Sequence, residues 1–499
     1  MEIELSPAAH QSYTQAVRLM QSRRVLEALK IAVQAADAEP NSAGAQQVFG
    51  ALCLRAGRMP DAVRLLRRLV KLQHANAEAR FYLAMALHRT GQHDEALQQY
   101  ERSLALKPGQ FDAMAARAEL LADLNRDEEA QTQIEDLAKA FPPDRLSLAQ
   151  RVTLALIRSA LCPRCIDPAD IEPELEQLAH DRTIPPAKRS VLLWRLGRIA
   201  ESRGDDDLAF ARHAESKAVA APPWDADAHS HRVDALIAAW TSPEAEAIPE
   251  STLSGSNFVY IVGMLRSGTT LVEQMLAQLS GVVPGGEQSV IRQAAAEIQP
   301  PRGIEMPMPT ELTSLTAERI NALSKTAHAR YAERVPARAG SLITDKQPQN
   351  YFYLPLIARL MPGARVIHLQ RNAQDCCISN FFTSFARPHP ETHDLYNLGR
   401  FFRDYERLMR AWQSLPKPEI LSINYEDLVQ RPEPTARQIV EFIGKEWDPG
   451  VLEFHISSRT VRTASREQVR QRLYTSAVNR HERYSAHLGE LRRGLGLTD

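Results

Sequence analysis

The chain has 499 residues and is too long for one compact core, because single domains usually hold ~100–200 residues, so two or three domains are expected. Hydrophobic residues make up 44% and charged residues 24% of it, which excludes a largely disordered, collagen-like or disulfide-stapled protein. The 60 Lys and Arg nearly balance 61 Asp and Glu, which excludes a uniformly basic nucleic-acid-binding protein.

We expect a soluble, cytoplasmic protein without a membrane span. The N-terminal sequence MEIELSPAAH has neither the basic start nor the apolar run of a secretion signal. Five cysteines are odd in number and too few for a disulfide framework, which indicates reduced thiols. Cys162 and Cys165 form a lone CxxC pair to which the sequence assigns no role, and Cys376 and Cys377 are expected to be small apolar residues of a helix.

A 34-residue repeat organises the first part of the chain. Alanines recur at that interval, a small residue stands twelve positions before each, and in three of the four units a proline stands twelve positions after. Such a unit predicts two helices that approach closely at the small residues, with proline ending the second. The alanines are Ala28, Ala62, Ala96 and Ala130, the small residues are Ala16, Gly50, Ala84 and Ala118, and the prolines are Pro40, Pro108 and Pro142, with His74 in the remaining unit.

This pattern resembles the tetratricopeptide repeat, with clear repeats over about residues 7–143 and degenerate helical repeats to about 240. A stretch rich in Pro, Ser and Gly then marks a domain boundary near residue 250, which divides the chain into 1–250 and 251–499. The resemblance implies a superhelix whose concave face holds a peptide or protein. The alternative is that the array only shields the second half or joins two copies in a homodimer.

The first chemical signal follows a strand candidate at residues 257–262. That apolar and β-branched run leads into the loop GMLRSGTT, which begins at Gly263, and then into a helical pattern. A strand, a glycine-bearing loop and a helix start form an anion cradle, because backbone N–H groups and the helix N-terminus face the ligand. Thr269 takes the place of the nucleotide P-loop lysine, and the nearest cation is Arg266. The loop therefore favours a phosphosulfate over a triphosphate held by Lys and Mg²⁺.

A second signal follows the strand candidate at residues 365–370. Arg371 stands at the carboxyl end of that strand, and Ser379 lies two helical turns further on. An arginine fork can form two parallel hydrogen bonds with a phosphate, and the serine hydroxyl can add a third.

Together the two motifs resemble those of sulfotransferases that use 3′-phosphoadenosine-5′-phosphosulfate (PAPS), over about residues 257–490. The likeness is closest to tyrosylprotein sulfotransferases and to bacterial-type sulfotransferases fused to tetratricopeptide repeats. It implies an α/β domain of P-loop type, with a central parallel sheet and ligands at the carboxyl ends of the strands. Strand candidates at 257–262, 341–344, 365–370 and 420–424 alternate with helical stretches, as this fold requires.

The resemblance also implies catalytic roles for particular residues. Glu287, in the turn Pro284-Gly-Gly-Glu287, would be the general base that accepts the proton of the acceptor hydroxyl. Lys346, Arg266 and Ser465 would stabilise the charge that grows on the leaving phosphate oxygen. Asp345 departs from the asparagine usual before that lysine, which is expected to lower the local positive potential.

The resemblance implies that three parts of the chain bind the nucleotide. They are the loop GMLRSGTT, called here the phosphate loop, the second motif with Arg371 and Ser379, and a basic C-terminal segment. That segment has nine arginines and three glutamates between residues 459 and 493. No metal site is implied. The residues expected to bind the nucleotide are Arg266, Ser267, Gly268, Thr269, Thr270, Arg371, Ser379, Tyr425, Ser465, Gln468, Val469, Tyr474 and Arg480.

The sequence therefore predicts a multidomain protein, an all-α repeat superhelix followed by an α/β sulfotransferase domain. Its expected activity is transfer of the sulfuryl group of PAPS to a hydroxyl, with a peptide or protein tyrosine as one candidate acceptor and PAP, the desulfated nucleotide, as product. The alternative is a non-catalytic scaffold whose degenerate second half only senses nucleotide. Residues 1–250 hold 30 Lys and Arg against 36 Asp and Glu, and the remainder 30 against 25, so the near-neutral total conceals an acidic repeat array and a basic second half.

Overall fold

A computed structural model describes residues 5–22, 24–298, 314–385, 388–456 and 477–497. The chain forms two compact units, Met1–Gly204 and Asp205–Asp499.

The first unit is built of helices, and each successive pair packs together. Asn or Ser caps the first helix of several pairs, as Asn76 does by accepting a hydrogen bond from the N–H of Ala79 at 2.9 Å. The helices are α1 Pro7–Gln21, α2 Val25–Ala38, α3 Ala43–Arg55, α4 Met59–Leu72, α5 Ala77–Thr90, α6 His93–Leu106, α7 Phe111–Asp123, α8 Asp127–Ala140, α9 Leu148–Ala160, α10 Pro168–His180 and α11 Pro186–Arg203, with a 3₁₀ turn at Pro143–Arg145.

The repeat alanines and the small residues before them are buried, as the 34-residue period predicts. At Gly50 on α3, a Cβ atom would lie only 3.2 Å from the Leu66 side chain on α4. The small residue therefore sets how closely α3 and α4 approach, and this confirms the helix pairing.

The packing at this contact gives a prediction for stability. Leu66→Ala empties a fully buried position on α4, which should cost about 2–5 kcal/mol and lower the unfolding midpoint of the full chain in scanning calorimetry. Leu72→Ala is the matched control, because Leu72 ends the same helix at 40% exposure and its loss should shift the midpoint far less. Equal shifts for the two variants would contradict this account of the repeat core.

The second unit is an α/β structure. It contains α12 Asp206–Val219, α13 Ala226–Trp240, α14 Pro243–Glu246, β1 Phe258–Gly263, α15 Thr269–Leu276, β2 Val282–Pro284, α16 Val290–Ile298, α17 Ala317–Arg334, β3 Leu342–Asp345, α18 Leu354–Leu360, β4 Arg365–Gln370, α19 Ala373–Phe381, α20 Leu395–Gln413, β5 Glu419–Asn424, α21 Tyr425–Gln430, α22 Pro432–Phe442 and α23 Gly489–Leu495, with 3₁₀ segments at Pro348–Tyr353, Pro390–Thr392, Pro449–Ile456 and Arg480–His487.

The five strands form one parallel sheet in the order β2-β3-β1-β4-β5. The chain leaves β1 toward β2 and β3 on one side and later adds β4 and β5 on the other. The carboxyl end of β1 is therefore the switch point at which open α/β sheets bind ligands. The four strand candidates are confirmed to within about one residue, whereas β2 was missed because its three residues are too few to show a pattern.

Alternate residues of β1 belong to two apolar cores. Phe258, Tyr260 and Val262 pack in one buried cluster, and Val259 and Ile261 pack in the other. Helices therefore cover both faces of the sheet, as a parallel sheet requires. The sequence-based α/β fold class is confirmed.

Helices before residue 250 pack with the second unit. Val233, Leu236 and Trp240 on α13 are buried in the same cluster as Phe258 of β1. The compact second unit thus begins upstream of the composition change, and the division at residue 250 stays a sequence prediction. In the described ranges, no helix is both long and apolar enough to cross a membrane.

Candidate functional site

The loop between β1 and α15 is compact and admits only glycine at two positions. A Cβ atom at Gly263 would lie 2.6 Å from the carbonyl oxygen of Leu369, and one at Gly268, where φ is +106°, would lie 2.6 Å from Cδ2 of Tyr425. Thr269 and Thr270 then begin α15. The first N–H groups of a helix lack partners within it, so this loop has the geometry of an anion cradle.

Helix α19 holds the middle of the same loop. The carbonyl oxygen of Leu265 accepts a hydrogen bond from Nδ2 of Asn380 at 2.6 Å and one from Sγ of Cys376 at 3.3 Å. The next residue, Arg266, adopts φ +67°, a conformation uncommon outside glycine and frequent at functional sites. Its Nε donates to Oγ of Ser379 at 3.2 Å, so two predicted nucleotide-binding residues from separate motifs meet.

Arg371 links the phosphate loop to the C-terminal segment. Its Nη1 donates to the carbonyl oxygen of Arg266 at 2.8 Å, its Nη2 donates to that of Ala477 at 2.7 Å, and its guanidinium carbon lies 4.7 Å from the ring centroid of Tyr425. Within the described residues, the buried Nε of Arg371 and Oγ of Ser267 have no hydrogen-bond partner. Buried polar groups without partners are uncommon, and both of these belong to residues predicted to bind the nucleotide.

The two central catalytic candidates touch each other. Nζ of Lys346 lies 2.7 Å from Oε1 of Glu287, with side-chain exposures of 1% and 44% respectively. A buried ammonium is costly without a counter-charge, so this pair fixes both groups at the carboxyl ends of β2 and β3. The structure thus brings together the predicted base and the predicted stabiliser of the leaving group.

Asp345, the residue that departs from the family pattern, points away from solvent. Its Oδ2 accepts a hydrogen bond from the hydroxyl of Tyr331 at 2.6 Å, and its Oδ1 accepts from the N–H groups of Gln288 and Gln347 at 3.3 and 3.1 Å. Burial raises the pKa of this carboxyl to about 7, although the hydrogen bonds oppose the rise. Asp345 therefore helps to hold the turn that carries Glu287.

The described part of the C-terminal segment is anchored on α19. Asp375, which is buried, accepts hydrogen bonds from the backbone N–H of Asn479 at 2.7 Å and from the backbone N–H and Nδ1 of His481, each at 2.8 Å. Arg480 lies between these anchored residues, with its guanidinium carbon 5.4 Å from the ring centroid of Phe382. Four other candidates, Ser465, Gln468, Val469 and Tyr474, lie outside the described residues and stay predictions.

Sequence reasoning missed the anchors Asp375 and Asn380. Both lie on α19 among Cys376, Cys377, Ile378 and Phe381, so the available signal was a polar residue at a buried helical position. The cysteines are buried helix residues, as expected. Across the described ranges, no group of three or more His, Cys, Asp or Glu side chains is arranged to hold a metal ion.

Comparison with known proteins finds a matching family model in each half of the chain. Residues 259–449 match the sulfotransferase family model. The C-terminal half carries a sulfotransferase domain. Two tetratricopeptide-repeat models match residues 52–111 and 87–151, so the N-terminal half carries tetratricopeptide repeats. These matches confirm both resemblances drawn from the sequence, while the likeness to tyrosylprotein sulfotransferases stays a prediction.

The chain is 32% identical over 324 residues to an uncharacterised protein of Aquifex aeolicus strain VF5, a match that covers 63% of this chain and 42% of that protein. A sulfotransferase domain from the curacin biosynthetic pathway has 15% identity and a TM-score of 0.33, over 49% of this chain and 98% of its own. The sulfotransferase domain of the Synechococcus PCC 7002 olefin synthase has 17% identity and a TM-score of 0.28, over 47% and 97%. Pseudomonas aeruginosa PilF has 14% identity and a TM-score of 0.32, over 43% and 92%.

The raised pKa of Asp345 in the sulfotransferase domain predicts a pH-dependent stability. The folded carboxyl, with a pKa of about 7, binds its proton more tightly than the unfolded one at 3.8. Its stabilising effect is therefore complete below pH ~4 and is lost as the pH rises through ~7, at a cost of up to about 4 kcal/mol.

Asp345→Asn removes this titration and keeps an oxygen that can accept from Gln288 and Gln347. The midpoint of thermal unfolding should therefore fall between pH 5 and pH 8 more steeply in the wild type than in this variant. Parallel curves for the two proteins would contradict a proton-binding Asp345.

Proposed function

We propose that the protein is a PAPS-dependent sulfotransferase that transfers a sulfuryl group to an acceptor hydroxyl. The observation that carries the proposal is the ion pair between Glu287 and Lys346, next to a phosphate loop with Thr269 in place of the P-loop lysine. A base beside a cation suits a reaction in which a proton leaves the acceptor while negative charge grows on the departing oxygen.

The residues on the nucleotide side fit a ligand with two anionic groups. The amides of the Gly268–Thr270 turn and the side chains of Ser267 and Thr270 would hold the phosphosulfate. Arg371, Ser379 and Arg480 would hold the 3′-phosphate, with Tyr425 beside the loop. The partnerless Nε of Arg371 and Oγ of Ser267 support this fit, because each needs an acceptor or donor that the described protein does not supply.

When bound, PAPS supplies an activated sulfuryl group: the acceptor oxygen bonds to sulfur while the bond from sulfur to the 5′-phosphate oxygen breaks. Glu287 accepts the acceptor proton, and its 44% exposure leaves the carboxylate open to an approaching hydroxyl. Lys346 and Arg266 stabilise the charge left on the phosphate oxygen, together with Ser465. No metal ion is assigned to this reaction.

We propose a hydroxyl of a peptide or protein, such as a tyrosine, as the acceptor. The support is the fusion of a sulfotransferase domain to tetratricopeptide repeats, which commonly hold an extended peptide on a concave face. An acceptor screen with labelled PAPS and mass-spectrometric detection of the sulfate adduct tests the acceptor class.

A nucleotide-sensing scaffold is the competing function. A scaffold of this kind would bind nucleotide through the same phosphate loop and Arg371, but it would need no working base. Calorimetry should therefore show PAP binding under either hypothesis, whereas only an enzyme would show turnover. Binding of PAP without transfer to any hydroxyl compound in the screen would favour the scaffold.

The role of the base gives a mutational prediction. Glu287→Gln keeps the size of the side chain and an amide oxygen that can still accept a hydrogen bond from Lys346, but it removes the proton acceptor. The kcat should therefore fall by ~10²–10⁴-fold, while the affinity for PAP should change far less. Glu297→Gln is the control, because this glutamate pairs with Arg330 on the neighbouring helix and should leave kcat unchanged. Full activity in Glu287→Gln would remove the proposed base.

The role of Arg371 gives a binding prediction. Arg371→Ala removes a charged donor, so the Kd for PAP should rise by ~10–100-fold. Arg371→Lys should restore only part of the affinity, since lysine keeps the charge and loses the planar fork. Calorimetry at one fixed salt concentration measures both, with exposed Arg431→Ala as the control. Wild-type affinity in Arg371→Ala would contradict its place in the nucleotide site.

A further inference from the structure

The helix that begins at the phosphate loop carries a buried acid that the proposed reaction does not use. Glu273 lies on α15, four residues after Thr269, and is 3% exposed. Its Oε1 accepts two hydrogen bonds, one from the N–H of Gly286 at 2.8 Å and one from the hydroxyl of Thr344 at 2.9 Å. Burying a carboxylate is costly unless donors compensate it, so these two bonds account for its burial.

Gly286, the residue before the proposed base, is held on both sides. Its N–H is bound by Glu273, and its carbonyl oxygen accepts a hydrogen bond from the N–H of Lys346 at 2.8 Å. The preceding residue, Gly285, donates to the carbonyl oxygen of Thr344 at 2.9 Å, and a Cβ atom there would lie 2.3 Å from that oxygen. The turn is therefore pressed against the end of β3.

These bonds connect the two halves of the candidate site through one short helix. The first residues of α15 are those proposed to hold the phosphosulfate, and the second turn of the same helix holds the backbone next to Glu287. A group placed by a rigid element keeps its distance from the reacting atoms, and a displacement of ~1 Å can cost ~10²-fold in rate.

Resting on the proposed function, we propose that Glu273 is a positioning residue that couples the phosphate loop to the turn bearing Glu287. It touches neither donor nor acceptor. It acts through Gly286 and Thr344, by setting the distance between the anion cradle and the base.

Kinetics of three variants of the full chain test the proposal. Glu273→Ala should lower kcat by ~10–100-fold and leave the KM for PAPS within ~2-fold, because the cradle is intact and only the base is displaced. Glu273→Gln keeps an acceptor oxygen at the same reach and should recover most of kcat. Thr344→Val removes one of the two donors and should give a smaller loss than Glu273→Ala. Exposed Glu441→Ala is the control.

Hydrogen exchange supplies a readout that does not depend on activity. The amide of Gly286 should exchange at least ~10-fold faster in Glu273→Ala than in the wild type, and close to the wild-type rate in Glu273→Gln, because only the alanine variant lacks an acceptor for it. Should Glu273→Ala fail to fold, Thr344→Val carries the test, because it removes one of the two donors to Glu273. A wild-type kcat together with a wild-type exchange rate at Gly286 in that variant would then overturn the coupling.

Three results would overturn the coupling: wild-type kcat in Glu273→Ala, unchanged exchange at Gly286, or equal loss of kcat in Glu273→Ala and Glu273→Gln. Absence of sulfuryl transfer by the wild-type protein would instead contradict the proposed function. The exchange rates at Gly286 alone would then test whether Glu273 holds the turn.

Discussion

The buried ammonium of Lys346 is the constraint on which the candidate site depends. At 1% exposure it is shielded from bulk water, and it lies 2.7 Å from the carboxylate of Glu287. Without the Glu287 carboxylate, the buried ammonium would be an uncompensated charge that costs several kcal/mol, so Lys346 holds Glu287 in place. The ends of β2 and β3 must then stay adjacent, which makes the sheet order a requirement of the site.

The sheet order also places the catalytic candidates and the nucleotide-binding candidates on opposite sides of β1. Glu287 and Lys346 follow β2 and β3 on one side of β1, whereas Arg371 and Tyr425 follow β4 and β5 on the other. The phosphate loop follows β1 itself, between them. A donor held across the carboxyl ends of the strands would thus present one end to the base and the other to the arginine, without help from long loops.

Much of this arrangement could be predicted from the sequence, because its signals are local. Buried apolar runs locate β1, β3, β4 and β5, and the 34-residue period locates the helix pairs of the repeats. Contacts between distant segments carry no such signal: the Glu287–Lys346 pair spans 59 residues, and the bond from Asn479 to Asp375 spans 104. They depend on which strands lie side by side, and spacing along the chain does not fix that.

Asp345 is a single residue whose role could not be predicted from the sequence. Its charge suggested a lowered positive potential near Lys346, but its carboxyl is fully buried against Tyr331 and has a pKa of about 7. Because burial raises its pKa this far, the carboxyl carries a full negative charge less readily near neutral pH than an exposed aspartate, and its effect on the local potential is smaller than a formal charge implies. Its hydrogen bonds to Gln288 and Gln347 show a different role, which is support for the turn.

The sequence suggested that the guanidinium of Arg371 could form two parallel hydrogen bonds with a phosphate, and the structure shows which of its N–H groups already have partners. Two of its five N–H groups already bind the carbonyl oxygens of Arg266 and Ala477, which fixes the guanidinium before any ligand arrives. Its buried Nε has no hydrogen-bond partner within the described residues, and in the proposed site a phosphate would meet the arginine at that edge without breaking either carbonyl bond. An arginine held in this way loses little side-chain entropy on binding. Because the same two carbonyls belong to the phosphate loop and the C-terminal segment, Arg371 holds both of these segments, which form the walls of the proposed nucleotide site.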